Sequence, residues 1–496
     1  MMKNTRLSVA LLATVAFAAT ACSTDLTGLN VNPNSPSVDT PPPAGTVFTR
    51  AVAVTGQRYM NSFYSLSMME LLAQHIAQVQ YVDEDRFSYR VGNIQTFFDV
   101  PYYSDLMDLE QVRQIGKKNS DPNTWGPATV MQQFIFQNMT DTWGDIPYSQ
   151  ALQGLTGPLK PAYDKQQDIY TGMLKALTDA SAAMGSGTGL GSADQIFGGD
   201  ATKWKKFANA LRARMAMRIQ KADPAKATAE LAAAFAGPLL ASNADNVKIS
   251  WPGDNVYDNG WAANFATRDD HRISKTLMDV MTAYNDPRIP IYAQPTAADP
   301  TKYAGLQNGL DNASASGFFN STSRPGAIFY PGKTTYGTFG GSGRATPSYL
   351  LTYAEQCFIQ AEAANRGIGG LTAAQAAGFY NAGVTASITQ WGGTAAQAAA
   401  YLADPNVAYV GGSAGLTQIL TQKWIAFFTQ GGEAWSDWRR TGVPAQIAPG
   451  PKALFTAMPR RMQYSATEQS VNNDNYLAAV ARQGADALST RMWWDK

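Results

Sequence analysis

The segment VMQQFIFQNMTDTW, residues 130–143, carries a large apolar side chain at every fourth position. Because an α-helix completes a turn in about 3.6 residues, this spacing aligns the apolar side chains on one face. The segment KWKKFANALRARMAMRIQ, residues 203–220, has a similar period. Both segments therefore predict long helices that each bury one face. The predicted buried positions are Met131, Ile135, Met139 and Trp143 in the first helix, and Trp204, Phe207, Leu211, Met215 and Ile219 in the second.

Helical periodicity continues through most of the remaining chain, whereas the alternation typical of strands is scarce. Successive helices joined by short connections are typical of an α-solenoid, in which neighbouring repeats bury each other's apolar faces. The long stretches 81–104, 241–268 and 286–345 lack periodicity and are predicted to be ordered surface loops. The sequence thus predicts a predominantly all-α fold, an α-α superhelix of helix pairs with long irregular loops. Further helices are expected over 47–79, 163–180, 270–284, 347–366, 372–391 and 415–430, with a capping box at Asp164 and Gln167.

The N-terminus has the features of an export signal. Lys3 and Arg6 precede an uncharged apolar stretch over 7–18, which is shorter than the roughly 20 residues that span a bilayer. Small residues then lead directly to Cys22, an arrangement that resembles the lipobox of bacterial lipoproteins. We predict a signal peptide over 1–21 and lipidation of Cys22, with simple secretion as the alternative.

Composition excludes several kinds of site. The chain has only two cysteines, Cys22 and Cys357, and only two histidines, His75 and His271. With Cys22 lipidated, no disulfide framework or zinc cluster can form, and Cys357 is expected to be a buried thiol on a helix face. The sequence contains no P-loop, dinucleotide fingerprint or nucleophile elbow, so we predict no cofactor and no metal. The formal net charge of +1 gives no sign of a nucleic acid partner.

Several segments, taken in order, resemble the signatures of a known family. The first are LNVNPNSP (29–36), FQNMTDTWGDIPYSQAL (136–152), PAYDKQQDIYTGMLKALTDA (161–180) and KWKKFANALRARMAMRI (203–219). The series continues with TYAEQCFIQAEAANRG (352–367), WIAFFTQGGEAWSDWRRTGVP (424–444), MPRRMQYSATEQSVNNDNY (458–476) and MWWDK (492–496). The ordered set covers nearly the whole mature chain and resembles the SusD/RagB family, in particular its second, SusD-like branch. One position differs, because Ser465 stands where the family usually has proline.

The resemblance implies a helical body that carries helix pairs similar to tetratricopeptide repeats. It also implies a lipid-anchored protein, exposed at the cell surface of the outer membrane, that closes over a SusC-like TonB-dependent transporter. The ligands expected from the family are oligosaccharides, and peptides for some members. We therefore predict three parts: the signal peptide over 1–21, a lipidated tether over 22–45, and a single SusD-like helical body over 46–496.

Two of the predicted loops have the composition of a sugar-binding site, which combines aromatic walls with a few polar groups. One is QYVDEDRFSYRVGN, residues 80–93, and the other is WPGDNVYDNGWAANF, residues 251–265. For each aromatic residue, packing against the helices is an equal alternative to ligand contact. The oxygen-rich stretch DNVYDNG, residues 254–260, also suggests calcium, but its ligand spacing is incomplete. The predicted ligand-binding residues are Tyr81, Arg86, Tyr89, Trp251, Tyr257, Asn259 and Trp261, with Asp83 and Asp254 in the same loops.

Two conspicuous groups of charged residues are assigned structural roles. Asp141 and Asp145 invite comparison with the paired carboxylates of a glycoside hydrolase. The glycine and proline around them are instead typical of a helix end and the turn that follows it. The arginine pairs over 439–440 and 460–461 are expected to form ion pairs or to contact backbone carbonyl groups.

The sequence therefore predicts a nutrient-binding lipoprotein of the outer membrane, not an enzyme, that delivers its ligand to a SusC-like TonB-dependent transporter. The ligand is expected to be an oligosaccharide. Three alternatives remain open at this point: a secreted glycoside hydrolase, a transporter lid without ligand affinity of its own, and a peptide-binding member of the same family.

Overall fold

The computed structural model describes residues 42–187 and 189–496, apart from the side chain of Leu155. The predicted signal peptide over 1–21 and the predicted lipidation site Cys22 lie outside these ranges, as does nearly all of the predicted tether over 22–45. Residues Ala44–Lys496 form one compact unit. Within the described ranges, no helix is both long and apolar enough to cross a membrane.

The described chain is predominantly helical, as predicted, and its strands are short. The main helices are α1 Ala44–Tyr59, α2 Val91–Tyr103, α3 Asp105–Lys118, α4 Pro122–Trp143, α5 Gln166–Ala183, α6 Ala201–Arg218, α7 Pro224–Phe235, α8 Gly260–Phe265, α9 Lys275–Ala283, α10 Tyr353–Arg366, α11 Ala376–Gln390, α12 Ala395–Leu402, α13 Gly412–Ala426, α14 Gly431–Thr441, α15 Ala466–Val471 and α16 Asn473–Gln483. A π-helix, Ser62–Met69, follows α1, and short helices lie at Glu70–Leu72, Ile289–Tyr292 and Asn312–Ser316. The strands are β1 Ile76–Gln78, β2 Val247–Ile249, β3 His271–Ile273, β4 Lys333–Thr334, β5 Gly337–Thr338 and β6 Ser348–Leu351. They pair antiparallel as β1 with β3, β2 with β6 and β4 with β5.

Helices that follow one another along the chain pack directly on each other. Helix α3 packs on α4, α4 on α5, α5 on α6 and α6 on α7, and later α10 packs on α11 and α13. This succession is the tetratricopeptide-like arrangement that the family resemblance implies. The nine apolar side chains predicted to be buried in the segments over 130–143 and 203–220 are all buried. Helical period therefore identified this part of the core correctly.

The single helix predicted over 47–79 is wrong, because the chain breaks after α1. The Asn61 side chain accepts hydrogen bonds from the main-chain N–H groups of Phe63, at 2.8 Å, and Tyr64, and it thereby starts the π-helix. Farther on, Ile76–Gln78 form strand β1 rather than a helix end. Most apolar residues of this segment are buried, but in a different secondary structure from the one predicted.

Other predicted boundaries also changed. The helices expected over 270–284 and 347–366 begin instead with strands β3 and β6, whose partners lie far away in the sequence. The loop expected over 81–104 contains helix α2. Its buried residues Ile94, Phe97, Phe98 and Pro101 follow the helical period, which the internal proline obscures.

The predicted capping box at Asp164 and Gln167 is also wrong. Helix α5 begins at Gln166, and its N-cap residue Lys165 makes no side-chain hydrogen bond to it; the Asp145 carboxylate accepts the hydrogen bond of its first main-chain N–H instead, at 2.8 Å. The Asp164 carboxylate accepts hydrogen bonds from the main-chain N–H groups of Tyr148, at 2.9 Å, and Ser149, at 2.8 Å. It therefore stabilises the turn that follows α4 instead of the helix that it precedes.

The conspicuous arginine pairs form buried ion pairs and carbonyl contacts, as predicted. The Arg440 guanidinium binds both carboxylate oxygens of Glu362 at 2.7 Å. Arg439 donates hydrogen bonds of 2.7 Å to two backbone carbonyl oxygens. These contacts connect α14 to α10, to the end of α4 and to the segment that contains Arg460. The second arginine pair also forms ion pairs, since Arg460 lies 3.0 Å from Asp495 and Arg461 lies 3.1 Å from Asp486.

Ser465, at the position where the family usually has proline, begins helix α15. Its hydroxyl accepts a hydrogen bond from the main-chain N–H of Thr467 at 3.2 Å. The same hydroxyl donates to Asp99 at 2.9 Å, so it joins α15 to α2. The substitution thus exchanges a rigid turn residue for a helix cap.

Candidate functional site

The predicted loop over 251–265 borders a groove beside α1. Residues 249–252 and Tyr257 form one wall, and α1 together with Gln195 forms the other. The groove has a volume of about 680 Å³, which lies within the range of about 300–1,000 Å³ that is usual for small-ligand sites. We call it the Trp251 groove. Its polar and aromatic lining consists of Thr46, Thr49, Arg50, Gln57, Gln195, Ser250, Trp251 and Tyr257.

Tyr257 supplies the exposed aromatic surface of this groove, with 48% of its area open to solvent. A local turn presents the ring. One Asp254 carboxylate oxygen accepts hydrogen bonds of 2.9 Å from the main-chain N–H groups of Val256 and Tyr257, and these bonds lower the pKa of Asp254. Asp258 forms an ion pair with Arg344 and holds the other end of the turn. The backbone that carries Tyr257 is therefore held by the turn, while about half of the tyrosine side chain remains accessible.

Trp251 lies in the wall of the groove with its side chain almost fully buried. Its indole N–H donates a hydrogen bond of 2.7 Å to the Ser348 hydroxyl. The ring packs over Gly56 of α1, where a Cβ atom would lie only 2.9 Å from the ring carbon Cζ2. Trp251 therefore shapes the groove and offers little open ring face to a ligand.

Asn259 and Trp261, predicted as ligand-binding residues of the same loop, are fully buried. The Asn259 side chain caps α8, since it accepts a hydrogen bond of 2.9 Å from the main-chain N–H of Trp261. The Trp261 indole donates to the Ser65 hydroxyl at 2.8 Å and packs against Phe428. Their polar atoms are occupied within the protein, so the structure gives both residues a role in folding and no open face toward the groove.

Tyr81, from the other predicted loop, lies on a separate exposed surface. Its side chain is 53% exposed, and its backbone φ of +54° lies in the left-handed region that is unfavourable for a bulky residue. The Arg268 guanidinium lies 4.6 Å from the centroid of the ring, a cation–π distance. Leu454 and Phe455 are exposed on a neighbouring loop, which meets this one where the main-chain N–H of Leu454 donates to the carbonyl of Arg86. We call this region the Tyr81 surface.

The other residues of that loop that were predicted to bind a ligand are Arg86 and Tyr89. The Arg86 guanidinium is partly exposed and donates a hydrogen bond of 2.8 Å to the carbonyl oxygen of Lys452. The Tyr89 hydroxyl is buried without a hydrogen-bond partner among the described residues, and burial raises the pKa of Tyr89 well above its usual value. Asp83 is exposed. Among the residues of this loop that were singled out from the sequence, Tyr81 and Asp83 are thus the two that are exposed.

The sequence analysis missed the contribution of α1 to the groove. Arg50 and Gln57 are seven residues apart and therefore share one face of the helix, a relation that is visible in the sequence. Nothing in the sequence indicates that this face adjoins the segment that contains Trp251. Arg268 was missed for the same reason, because only the fold brings it to Tyr81.

Asp141 and Asp145 are each held in a structural ion pair. Asp141 lies 3.2 Å from Arg218 and accepts a hydrogen bond of 2.5 Å from the hydroxyl of Tyr170. Asp145 lies 2.6 Å from Arg482. Burial raises the pKa of both carboxyl groups, while the neighbouring arginines oppose that shift. Both carboxylates therefore serve to connect helices, as the sequence analysis assigned them.

In the described part of the chain, the side chains that commonly bind metals do not cluster. Within the ranges that the structure covers, no group of three or more His, Cys, Asp or Glu residues is placed to hold a metal ion. In the stretch considered for calcium, Asp254 is occupied by backbone N–H groups and Asp258 by Arg344. Cys357 is buried as predicted, and burial raises the pKa of its thiol to about 12.

Comparisons with known proteins agree with this architecture. The profile of the family SusD-like_2, described as starch-binding associating with outer membrane, matches residues 33–465. A chitin-binding SusD homologue from Flavobacterium johnsoniae is 27% identical and superimposes with a TM-score of 0.78, over 91% of this chain and 98% of its own. No protein with a curated functional description matches the chain.

Two further solved structures share the fold. A SusD homologue from Bacteroides uniformis has 24% identity and a TM-score of 0.77, over 91% of this chain and 98% of its own. A SusD-like protein from Bacteroides thetaiotaomicron has 23% identity and a TM-score of 0.78, over 91% of this chain and 99% of its own. Since the family profile spans most of the sequence and the helical body matches these structures along nearly its whole length, the chain belongs to the SusD-like branch of the SusD/RagB family.

Proposed function

We propose that this protein is a cell-surface lipoprotein of the outer membrane that binds an oligosaccharide and passes it to a SusC-like TonB-dependent transporter. The observation that carries the proposal is the Trp251 groove, which combines a half-exposed tyrosine ring with amide, hydroxyl and guanidinium groups. Such a set suits a sugar, because the ring covers the apolar C–H face while the polar groups bind hydroxyls. The chitin-binding relative makes a chito-oligosaccharide the first ligand to test.

The binding test compares the wild-type body with Tyr257→Ala and Gln57→Ala, both of which alter exposed residues of the groove. Covering about half of a tyrosine ring is worth roughly 1–2 kcal/mol. We therefore expect Tyr257→Ala to weaken the affinity for a chito-oligosaccharide about tenfold. Tyr103→Ala is the matched control, since Tyr103 is an exposed tyrosine that does not line the groove. Equal affinity of all three variants and the wild type would reject the Trp251 groove as the site.

The same titration separates the alternatives. Malto-oligosaccharides and peptides are titrated beside the chito-oligosaccharide, because the family description names starch and some members take peptides. Analysis of the products after a long incubation with each oligosaccharide tests for hydrolase activity. If the protein is a hydrolase, Asp145→Asn should abolish that activity. A protein with no affinity for any of these ligands would act as a transporter lid only.

The Tyr81 surface is proposed as a second contact region for the same ligand or for the transporter. Tyr81 and Phe455 are the exposed aromatic residues of this surface, and the Arg268 guanidinium lies against the Tyr81 ring. Tyr81→Ala distinguishes the two roles, since it would weaken either oligosaccharide affinity in solution or co-purification with the transporter.

Anchoring and partnership are tested on the full-length chain in outer membranes. With Cys22→Ala, we expect the protein to leave the membrane fraction, because several acyl chains are needed for durable attachment. Retention of this variant in the membrane would contradict lipid anchoring at Cys22. A neighbouring gene for a SusC-like transporter, and recovery of that transporter with the tagged protein, would support the partnership.

A further inference from the structure

A second groove lies at the N-terminus of helix α5, beside the C-terminal segment. Its walls are formed by the start of α5, the end of α16 and residues 491–496. Its volume is about 420 Å³, which is sufficient for a small ligand. It shares no lining residue with the Trp251 groove. We call it the Arg482 groove.

The Arg482 groove is rich in positive charge. Lys165, Arg482, Arg491 and Lys496 line it together with one acidic side chain, Asp145. Asp145 is already occupied, because it lies 2.6 Å from Arg482 and accepts a hydrogen bond of 2.8 Å from the first main-chain N–H of α5. Arg491 lies 3.0 Å from Asp495, which Arg460 also contacts from the interior. Cations therefore outnumber carboxylates around the groove.

The N-terminus of helix α5 adds to the positive electrostatic potential of the groove. Helix α5 runs over 18 residues, and its N-terminus, which carries partial positive charge, opens into the groove. Lys165 occupies the capping position and makes no side-chain cap hydrogen bond. Because Asp145 already accepts a hydrogen bond from the first main-chain N–H of α5, a further negatively charged group in the groove would be stabilised chiefly by the lysine and arginine side chains.

A residue that lines the groove, Gln166, has a buried amide oxygen without a hydrogen-bond donor among the described residues. The Gln166 side chain is almost fully buried in the groove wall, and its Oε1 atom has no hydrogen-bond partner among the described residues. The amide cannot simply turn over, because its Nε2 group donates a hydrogen bond of 2.8 Å to the carbonyl oxygen of Thr140. A hydroxyl group of a ligand would satisfy the unpaired oxygen. The partly exposed indole of Trp493 supplies an apolar wall beside it.

We propose that the Arg482 groove binds an acidic sugar residue of an oligosaccharide, with its carboxylate near Lys165 and Arg491 and a hydroxyl on Gln166. A sugar acid is the ligand class that combines an anion, hydroxyl donors and an apolar ring face. The site is independent of the Trp251 groove, so the protein would bind neutral and acidic parts of a glycan at two places.

The experiment titrates the body with a trimer of galacturonic acid and, separately, with the neutral chito-oligosaccharide. The variants Lys165→Glu and Arg491→Glu change exposed residues of the groove, and Lys175→Glu is the control on the exposed surface of the same helix. Each groove variant removes a charged hydrogen-bond donor and brings a like charge close to the uronate carboxylate. We therefore expect each groove variant to weaken uronate binding about tenfold or more, while the control and the affinity for the neutral sugar stay unchanged.

Three outcomes would overturn the proposal. The first is that the wild type does not bind the uronate trimer. The second is that Lys175→Glu weakens binding as much as the groove variants do, which would indicate general charge attraction. The third is that inorganic sulfate competes as well as free galacturonate, which would indicate an anion site without sugar recognition. Loss of neutral-sugar binding in Tyr257→Ala tests the proposed function separately, because that residue does not line the Arg482 groove.

Discussion

Replacing Arg440 with methionine tests whether the double-arginine segment is structural. Arg440 is 1% exposed and binds both oxygens of Glu362 at 2.7 Å and one oxygen of Asp437 at 2.7 Å. Burial alone would raise the pKa of Glu362, but Arg440 and Lys423 outweigh it, so the pKa of Glu362 lies below its usual value. Removing the guanidinium would leave two buried carboxylates short of a partner.

The expected loss follows from the cost of a broken buried ion pair, which is about 3–5 kcal/mol. Two groups compensate in part, since Arg366 still lies 2.9 Å from Glu362 and Lys423 lies 3.3 Å from Asp437. We therefore expect a loss near the lower end, about 3 kcal/mol. At about 2.1 cal/mol/K per residue, a body of about 450 residues has an unfolding entropy near 1 kcal/mol/K, so Tm would fall by about 3 °C.

The assay is thermal unfolding of Arg440→Met, Glu362→Gln and the double variant, with ligand affinity measured below the transition. The double variant should recover part of the loss, because it removes the unpaired charge of Glu362. Lys175→Ala, which breaks an exposed pair with Asp179, should change Tm by well under 1 °C. Arg440→Met with an unchanged Tm and abolished ligand binding would refute the structural role.

Two further predictions concern buried residues near the candidate site. Trp261→Ala should destabilise the body by about 3–5 kcal/mol, as large-to-small changes in a core do. The affinity of the folded variant for an oligosaccharide should stay within about twofold of the wild-type affinity. A loss of affinity of about tenfold without a fall in Tm would instead place Trp261 in the binding site. Burial raises the pKa of Asp85 to about 6, above its unfolded value of about 3.9, so the ionised carboxyl disfavours the fold by up to about 3 kcal/mol at pH 7. This cost should diminish as the pH falls from about 7 toward 4. Asp85→Asn should remove the contribution, which is measured as the difference in Tm between pH 7 and pH 5 relative to wild type; an identical difference in both proteins would contradict the raised pKa.

Local sequence was sufficient for most of the long helices and for much of the core. The period of apolar residues over 130–143 and 203–220 identifies buried faces, because a helix imposes its own geometry whatever lies beside it. The predicted roles of the arginine pairs and of Asp141 and Asp145 were confirmed for a related reason. A charged side chain that is buried needs a partner in the interior, whether it lies in a helix, as Asp141 does, or beyond the helix end, as Asp145 does.

The sequence could not show which residues of the predicted binding loops are exposed and which are buried in the core. Tyr257 and Trp261 belong to one short segment of similar composition, yet one is half exposed and the other is fully buried. The difference arises because Trp261 is covered by the π-helix and by Phe428, more than 160 residues away in the chain. Composition gives the chemistry of a loop, whereas the elements that pack against it decide which side chains reach solvent.

By itself, the sequence determined the helical class, the family and the chemical types of residue available for a ligand. The tertiary structure decided where strands replace helix ends, since β1 requires β3 as its partner. It also decided that Arg50 and Gln57 of α1 face the segment of Trp251 and Tyr257, and that Lys165 lies with Arg482 and Arg491. The physical reason is that helix formation depends on neighbours within one or two turns, whereas a binding groove depends on contacts between segments far apart in the chain.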